Sequence, residues 1–213
     1  MNSAVAPHYS TAALITIDVQ VDTLDGQPLE IPGTSNVLPR IVDLANVFRQ
    51  AGLPIVHVVR LYSADGSNAE PSRRELVSGS IPLLRPGTPG RLLAPGVAGI
   101  DDVEFDDELL LSGRPQAIGT REVVLYKPRW GAFYRTILDQ TLQDFGVDTL
   151  VFAGCNFPNC PRTSIYEASE RDYRIVLADN AISGLYDQGR NEIKNIGAHL
   201  EPADEICAQV MAI

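Results

Sequence analysis

Asp148-Thr-Leu-Val-Phe-Ala-Gly-Cys-Asn-Phe-Pro-Asn-Cys160-Pro-Arg-Thr-Ser164 sets a strand, a tight turn and a helix start in immediate succession. Its first six residues form an apolar run of the kind buried on both faces of a parallel sheet. Its second half leads into an amphipathic helix, expected over Pro161 to Arg171. Proline is favoured at the first helical position, where its missing N–H costs nothing. That places Cys160 at the N-cap. A thiol there feels the partial positive charge and the free N–H groups of the helix end. Both favour the thiolate, the form that attacks carbon. The competing reading of Cys160 is a small buried thiol that packs the turn.

The same alternation runs outward in both directions. Ala12 to Asp18, Leu53 to Val59, Glu122 to Lys127 and Tyr173 to Ala178 read as further strands, and Glu205 to Val210 as a short final one. Asn36 to Gln50, Arg135 to Phe145 and Gln188 to Leu200 read as helices. Strands alternating with helices imply crossover units. The expected fold class is α/β, a three-layer α/β/α arrangement around a mainly parallel sheet of about six strands. In such sheets ligands sit outside the carboxyl ends of the strands. Asp18, Arg60, Lys127 and the loop after Ala153 all fall there. Residues 62–118 interrupt the alternation with many Gly and Pro and an acidic run, Asp101 to Glu108. A loop this long is usually functional or mobile. It is read as an excursion of one domain, residues 1–213, which covers a pocket, reaches a neighbouring subunit or serves as a solvated linker.

The chain has 213 residues, 45% hydrophobic and 21% charged, an ordinary globular balance. Lys and Arg number 17 against 27 Asp and Glu, a net charge of −10. No nucleic acid and no anionic membrane surface is expected as partner, since both need a basic face. No apolar run approaches the roughly 20 residues of a membrane span. The N-terminal stretch has no signal-peptide pattern. Cys155, Cys160 and Cys207 are no disulfide framework, so a cytoplasmic setting is expected.

A cysteine nucleophile usually works with a base, most often histidine. His8 is in the N-terminal tail, His57 is inside a strand, and His199 ends the last expected helix. None is on the rim. Asp18 and Lys127 are, each closing a strand expected beside that of Cys160. A carboxylate close to the thiol accepts its proton, and a lysine between them holds both anions. Singly, each has a plainer reading: Asp18 as a turn cap, Lys127 as a solvated strand end, Arg60 as half of a surface ion pair.

Three stretches together, Leu14-Ile-Thr-Ile-Asp18-Val-Gln20, Lys127-Pro-Arg-Trp-Gly-Ala-Phe133 and Gly154-Cys-Asn-Phe-Pro-Asn-Cys160, resemble the isochorismatase-like cysteine hydrolases. That family includes nicotinamidases and N-carbamoylsarcosine amidases. The resemblance implies an Asp–Lys–Cys triad of Asp18, Lys127 and Cys160, and a cis peptide between Cys155 and Asn156. It also implies an oxyanion hole of the Asn156 and Cys160 backbone N–H groups, and a homodimer or larger homo-oligomer. Family nicotinamidases carry an Asp-x-His metal motif after the second strand. Here Val58-Val-Arg-Leu-Tyr-Ser63 has neither residue, so no metal and no cofactor is expected. Asn156-Phe-Pro-Asn159 and Pro161 also depart from the family pattern beside the nucleophile.

The implied activity is hydrolysis of a non-peptide C–N bond in a small amide, ureido or carbamoyl compound, through a thioester. Vinyl-ether cleavage of the isochorismatase kind fits less well, because relatives with that chemistry lack the cysteine. A binding or redox-sensing role without catalysis is the reading from another class. Trp130, Phe133, Phe157 and Arg60 are the candidate substrate contacts, with core packing the alternative for Phe133. Arg129 and Arg162 are read either as carboxylate ligands or as surface residues. Cys155 and Cys207 are read as packing thiols, with a resolving thiol under oxidation the alternative for Cys155.

Overall fold

In a computed structural model, residues 4–100 and 103–213 are described. Met1 to Ser3, and Asp101 and Asp102 at the start of the acidic run, lie outside the described residues. Among the described residues, seven strands form one sheet: β1 (Ala12–Ile17), β2 (Ile55–Val59), β3 (Gln116–Gly119), β4 (Glu122–Tyr126), β5 (Thr149–Gly154), β6 (Arg174–Ile182) and β7 (His199–Glu201). Their order is β3-β4-β2-β1-β5-β6-β7. All neighbours are parallel except β3 and β4. The helices are α1 (Thr34–Gln50), α2 (Pro71–Val77), α3 (Asp107–Leu111), α4 (Leu138–Asp144), α5 (Cys160–Ser169), α6 (Asp187–Asn195) and α7 (Ala203–Met211).

The period-two geometry of β1 sorts its side chains into two cores. Ala12 and Leu14 join Ile41, Leu44 and Phe48 of α1 and Ile206 and Val210 of α7. Ala13, Ile15 and Ile17 join Leu138 and Leu142 of α4, Ile165 and Ala168 of α5 and Ile193 of α6. The result is the expected α/β/α layering. Strand order reverses at β1, which has β2 on one side and β5 on the other. This is the switch point where a crevice opens at the carboxyl ends of the strands.

Several details differ from the expectations. The sheet has seven strands, because β3 pairs antiparallel on β4 as an edge strand within the excursion. The last helix ends at Asn195, where Gly197 at φ +86° breaks it, and His199 sits in β7. The segment expected as a final strand is α7. Ala203, Ile206 and Val210 are its buried positions, at helical spacing, with Asp204 and Glu205 favouring the helix start. The helix expected from Arg135 begins at Leu138, since Arg135 at φ +53° is in no α-helical conformation. The excursion over residues 62–118 is not structureless. It carries α2, α3, β3 and a 3₁₀ turn at Pro89–Arg91.

Candidate active site

Asp18 follows β1 directly. Its N–H donates to Val58 O at 2.9 Å, so it is still tied to β2. Its φ is +53°, a conformation that costs a non-glycine residue roughly 1–3 kcal/mol. Three donors converge on its carbonyl and hold it there: Cys155 Sγ at 3.0 Å, Thr23 Oγ1 at 3.0 Å and Gln20 N at 3.0 Å. Gly154 at φ +126° makes the close approach of β5 possible. A Cβ there would lie 2.3 Å from Ile17 O.

Lys127 follows β4 and is fully buried. Its N–H donates to Val59 O at 3.0 Å, and its Nζ donates to Asp18 Oδ2 at 2.9 Å and to Arg129 O at 3.4 Å. Burial works against its charge, but the Asp18 carboxylate and the Cys160 sulfur outweigh it and hold its pKa above the ordinary lysine value. Asp18 Oδ1 is buried and, among the described residues, has no hydrogen-bond partner.

Cys160 opens α5, with Asn159 as N-cap and Pro161 in the first turn. Its thiol is nearly buried, 6% exposed. The helix-end argument predicts a lowered pKa, and the surroundings reverse it. Burial, then the charge of Asp18, push the thiol up to about 12, against the opposing pull of Lys127. Both influences favour the neutral thiol over the thiolate. Cys155, fully buried, is pushed up still further by burial. Ser164 Oγ donates to Cys160 O at 2.7 Å and accepts from Ala132 N at 3.0 Å, and Glu167 Oε2 accepts from Phe133 N at 2.9 Å. These bonds tie the segment after Lys127 to the helix that carries Cys160.

The peptide between Cys155 and Asn156 is cis. Among the described residues no hydrogen bond is drawn from the N–H of Asn156 or of Cys160, while Phe157 N donates to Ser183 O at 2.9 Å and Asn159 N to Asn156 O at 3.0 Å. Gly184 leaves room for the Asn156 side chain, whose Oδ1 lies 2.3 Å from where a Cβ would stand.

Asp18 and Cys160 share a pocket with Arg60, Asn156, Asn159 and Trp130, walled by Leu29, Ile31, Tyr62 and Leu84 and by Arg73 of α2. Its cavity volume is about 20 Å³, room for one water. Any occupant larger than a water has to displace lining side chains. Arg60 lies at the pocket, but its guanidinium is occupied: Glu70 Oε2 accepts from it at 2.5 Å and Tyr62 Oη at 3.1 Å. Burial works against its charge, and Tyr62 and Glu70 more than restore it.

Other expected contacts fall elsewhere. Phe133 packs in the core, 6.0 Å from the Tyr173 ring and under Arg171. Phe157 is fully buried against Tyr186 at 5.7 Å. Neither lines the pocket. Arg162 pairs with Glu192 on the surface at 2.7 Å. Arg129 donates to the carbonyls of Asn68 and Pro128. His57 faces α1, bonded to Thr16 and Glu122, and His8 pairs with Asp148. None of the histidines lines the pocket.

Tyr62, Arg73 and Leu84 were not legible as pocket residues, since they come from the excursion. One signal was present for Arg73. Glu70-Pro-Ser-Arg-Arg has the proline placement of a helix start.

The Isochorismatase domain model matches residues 12–200. The chain is 28% identical over 199 residues to a protein of Arabidopsis thaliana named a probable inactive nicotinamidase, covering 91% of this chain and 93% of that one. It is 31% identical to the ureidoacrylate amidohydrolase RutB of Methylobacterium radiotolerans, over 80% of this chain and 66% of that one. The crystal structure of an isochorismatase family protein from Desulfovibrio vulgaris superposes with a TM-score of 0.79 at 31% identity, covering 95% of this chain and 99% of that one. The family model spans most of the chain and the superposition covers nearly all of it, so the chain belongs to the isochorismatase family.

Proposed function

We propose that this chain is a cysteine amidohydrolase that cleaves the C–N bond of a small amide, ureido or carbamoyl compound. One observation carries the reading. A buried carboxylate, Asp18, is fixed by Lys127 through one oxygen and keeps the other unpartnered in a pocket that it shares with the Cys160 thiol. The relation to the ureidoacrylate amidohydrolase supports the bond class.

The Cys160 S–H proton passes to Asp18 as sulfur attacks the carbonyl carbon and the C=O electron pair moves to oxygen. The Asn156 and Cys160 N–H groups hold that oxyanion. Lys127 keeps the anionic pair oriented. Collapse breaks the C–N bond, Asp18 returns its proton to the leaving nitrogen, and a thioester remains. Water, deprotonated by Asp18, attacks the thioester, and the departing sulfur takes the proton back. A thiol with a raised pKa suits this scheme, because the proton leaves only as the bond forms.

The test is acid-quenched intact mass during turnover of a panel of small amides and ureides, with ammonia release as the rate. An acyl adduct on Cys160 is expected, and Cys160→Ala is expected to abolish both signals. Full ammonia release by Cys160→Ala would overturn the scheme. A second reading, a ligand-binding member without turnover, rests on the Arabidopsis thaliana relative named as probably inactive. Saturable binding with neither adduct nor ammonia would favour it.

A further inference from the structure

The pocket is electrically unlike the chain that builds it. The sequence carries a net −10. Around the pocket, however, Lys127, Arg60 and Arg73 stand against Asp18 and Glu70, leaving one positive charge in excess. Lys127 is held by Asp18 and Arg60 by Glu70. Arg73 makes no ion pair among the described residues. Its guanidinium lies over the Trp130 ring, 4.9 Å from the centroid. A cation held by the face of a ring keeps its in-plane N–H donors free. The guanidinium fork matches a carboxylate in two parallel hydrogen bonds. The effective dielectric in such a half-buried place is well below that of water, so an unmatched charge there selects its counterion strongly. The walls near it, Leu29, Ile31 and Leu84, offer no competing anion.

We infer that the substrate carries a carboxylate at the end remote from its scissile amide, and that Arg73 binds it while Trp130 holds the guanidinium in place. This rests on the reading of Cys160 as an amide-cleaving nucleophile. It adds the charge of the substrate and a specificity-determining residue supplied by α2.

The test compares malonamate, succinamate and glutaramate with their neutral, size-matched diamides. Wild-type kcat/KM is expected to favour the acids. Arg73→Gln is expected to cut the acid-to-diamide ratio roughly tenfold to a hundredfold, the span of a lost charged hydrogen bond. Arg73→Lys is expected to keep part of the ratio, and Arg74→Gln, on the exposed side of the same helix, all of it. A wild type with no preference for the acids, or an Arg73→Gln ratio equal to wild type, would overturn the inference. Calorimetric binding to Cys160→Ala separates the two readings. Tighter binding of an acid than of its diamide, with no turnover by wild type, would sink amide hydrolysis and support the carboxylate site. Turnover and binding without any preference would sink the carboxylate site alone. Binding of neither would also overturn it.

Discussion

Glu122 and Asp18 are both buried carboxylates set beside cations, one at the start of β4 and one past the end of β1, and their surroundings differ in one respect. Both oxygens of Glu122 are filled: Arg49 donates to Oε1 at 2.7 Å and to Oε2 at 2.8 Å, and His57 Nε2 bonds Oε1 at 2.9 Å. His57 in turn meets Thr16 Oγ1 at 2.8 Å. Asp18 has Lys127 on one oxygen and, among the described residues, no hydrogen-bond partner on the other, which shares its pocket with the Cys160 thiol. A saturated buried carboxylate is an anchor. An unsaturated one, kept at the cost of a positive φ, has capacity for a proton. Burial alone would have marked both as functional, and counting the partners of each oxygen separates them.

The largest expected difference between the two is in rate. Asp18→Asn should lower kcat on a small amide roughly 10²–10⁴-fold, the usual loss on removing a general base. Glu122→Gln should leave kcat within about threefold, since its network faces α1 and not the pocket. A comparable loss of kcat in both variants would erase the distinction.

Stability should show the reverse emphasis. Burial raises the Glu122 pKa, but the bonds from Arg49 and His57 win and bring it from 4.5 to about 2. A depressed carboxylate contributes stability that is present above its unfolded value and is lost as pH falls through the folded one. Solvent reaches the Arg49 side of the pair, so the contribution is on the order of 1–2 kcal/mol. Urea unfolding from pH 6 down to pH 2 should therefore show wild type ahead of Glu122→Gln by about that amount at the upper end, with the gap closing below about pH 4.5. A gap that stays constant across the range would show that shape, not charge, is what Glu122 supplies.

The same comparison explains what was legible in the sequence. Asp18, Lys127 and the strand before Cys160 end regular apolar runs, and strand ends in a parallel sheet share one rim by topology. Their convergence needed no side-chain detail. The raised pKa of Cys160 is hidden from the sequence, because the helix end is visible there while the field of Asp18 and the depth of burial are tertiary. Phe133 and Phe157 flank the motifs that carry chemistry, yet they point into the core between the sheet and α4, α5 and α6. Adjacency in sequence says nothing about which side of a turn a ring takes. Arg73 and Leu84 lie in the excursion, where no periodicity ties residues to the rim. The segment read as a sixth strand, Glu205 to Val210, is α7, because a short apolar run does not reveal its period unless the residues before it are counted.

The smallest expected effect is the sharpest test of why the thiol stays protonated. Burial and the Asp18 charge both raise Cys160, and Lys127 opposes them. Asp18→Asn removes the carboxylate charge and leaves the side chain nearly the same size. If that charge matters as much as burial, the thiolate fraction at pH 8 rises, and iodoacetamide labelling of Cys160, read by peptide mass, speeds up by roughly tenfold for each unit of pKa released. Cys207, the half-buried cysteine remote from the pocket, is the internal standard. An unchanged labelling rate would assign the raised pKa to burial alone, and Asp18 would then have no hold on the thiol proton. A faster-labelling Asp18→Asn that turns over no amide would separate two things that the wild-type site joins. The nucleophile would be stronger and the reaction slower, because the group that receives the proton and returns it to the leaving nitrogen would be gone.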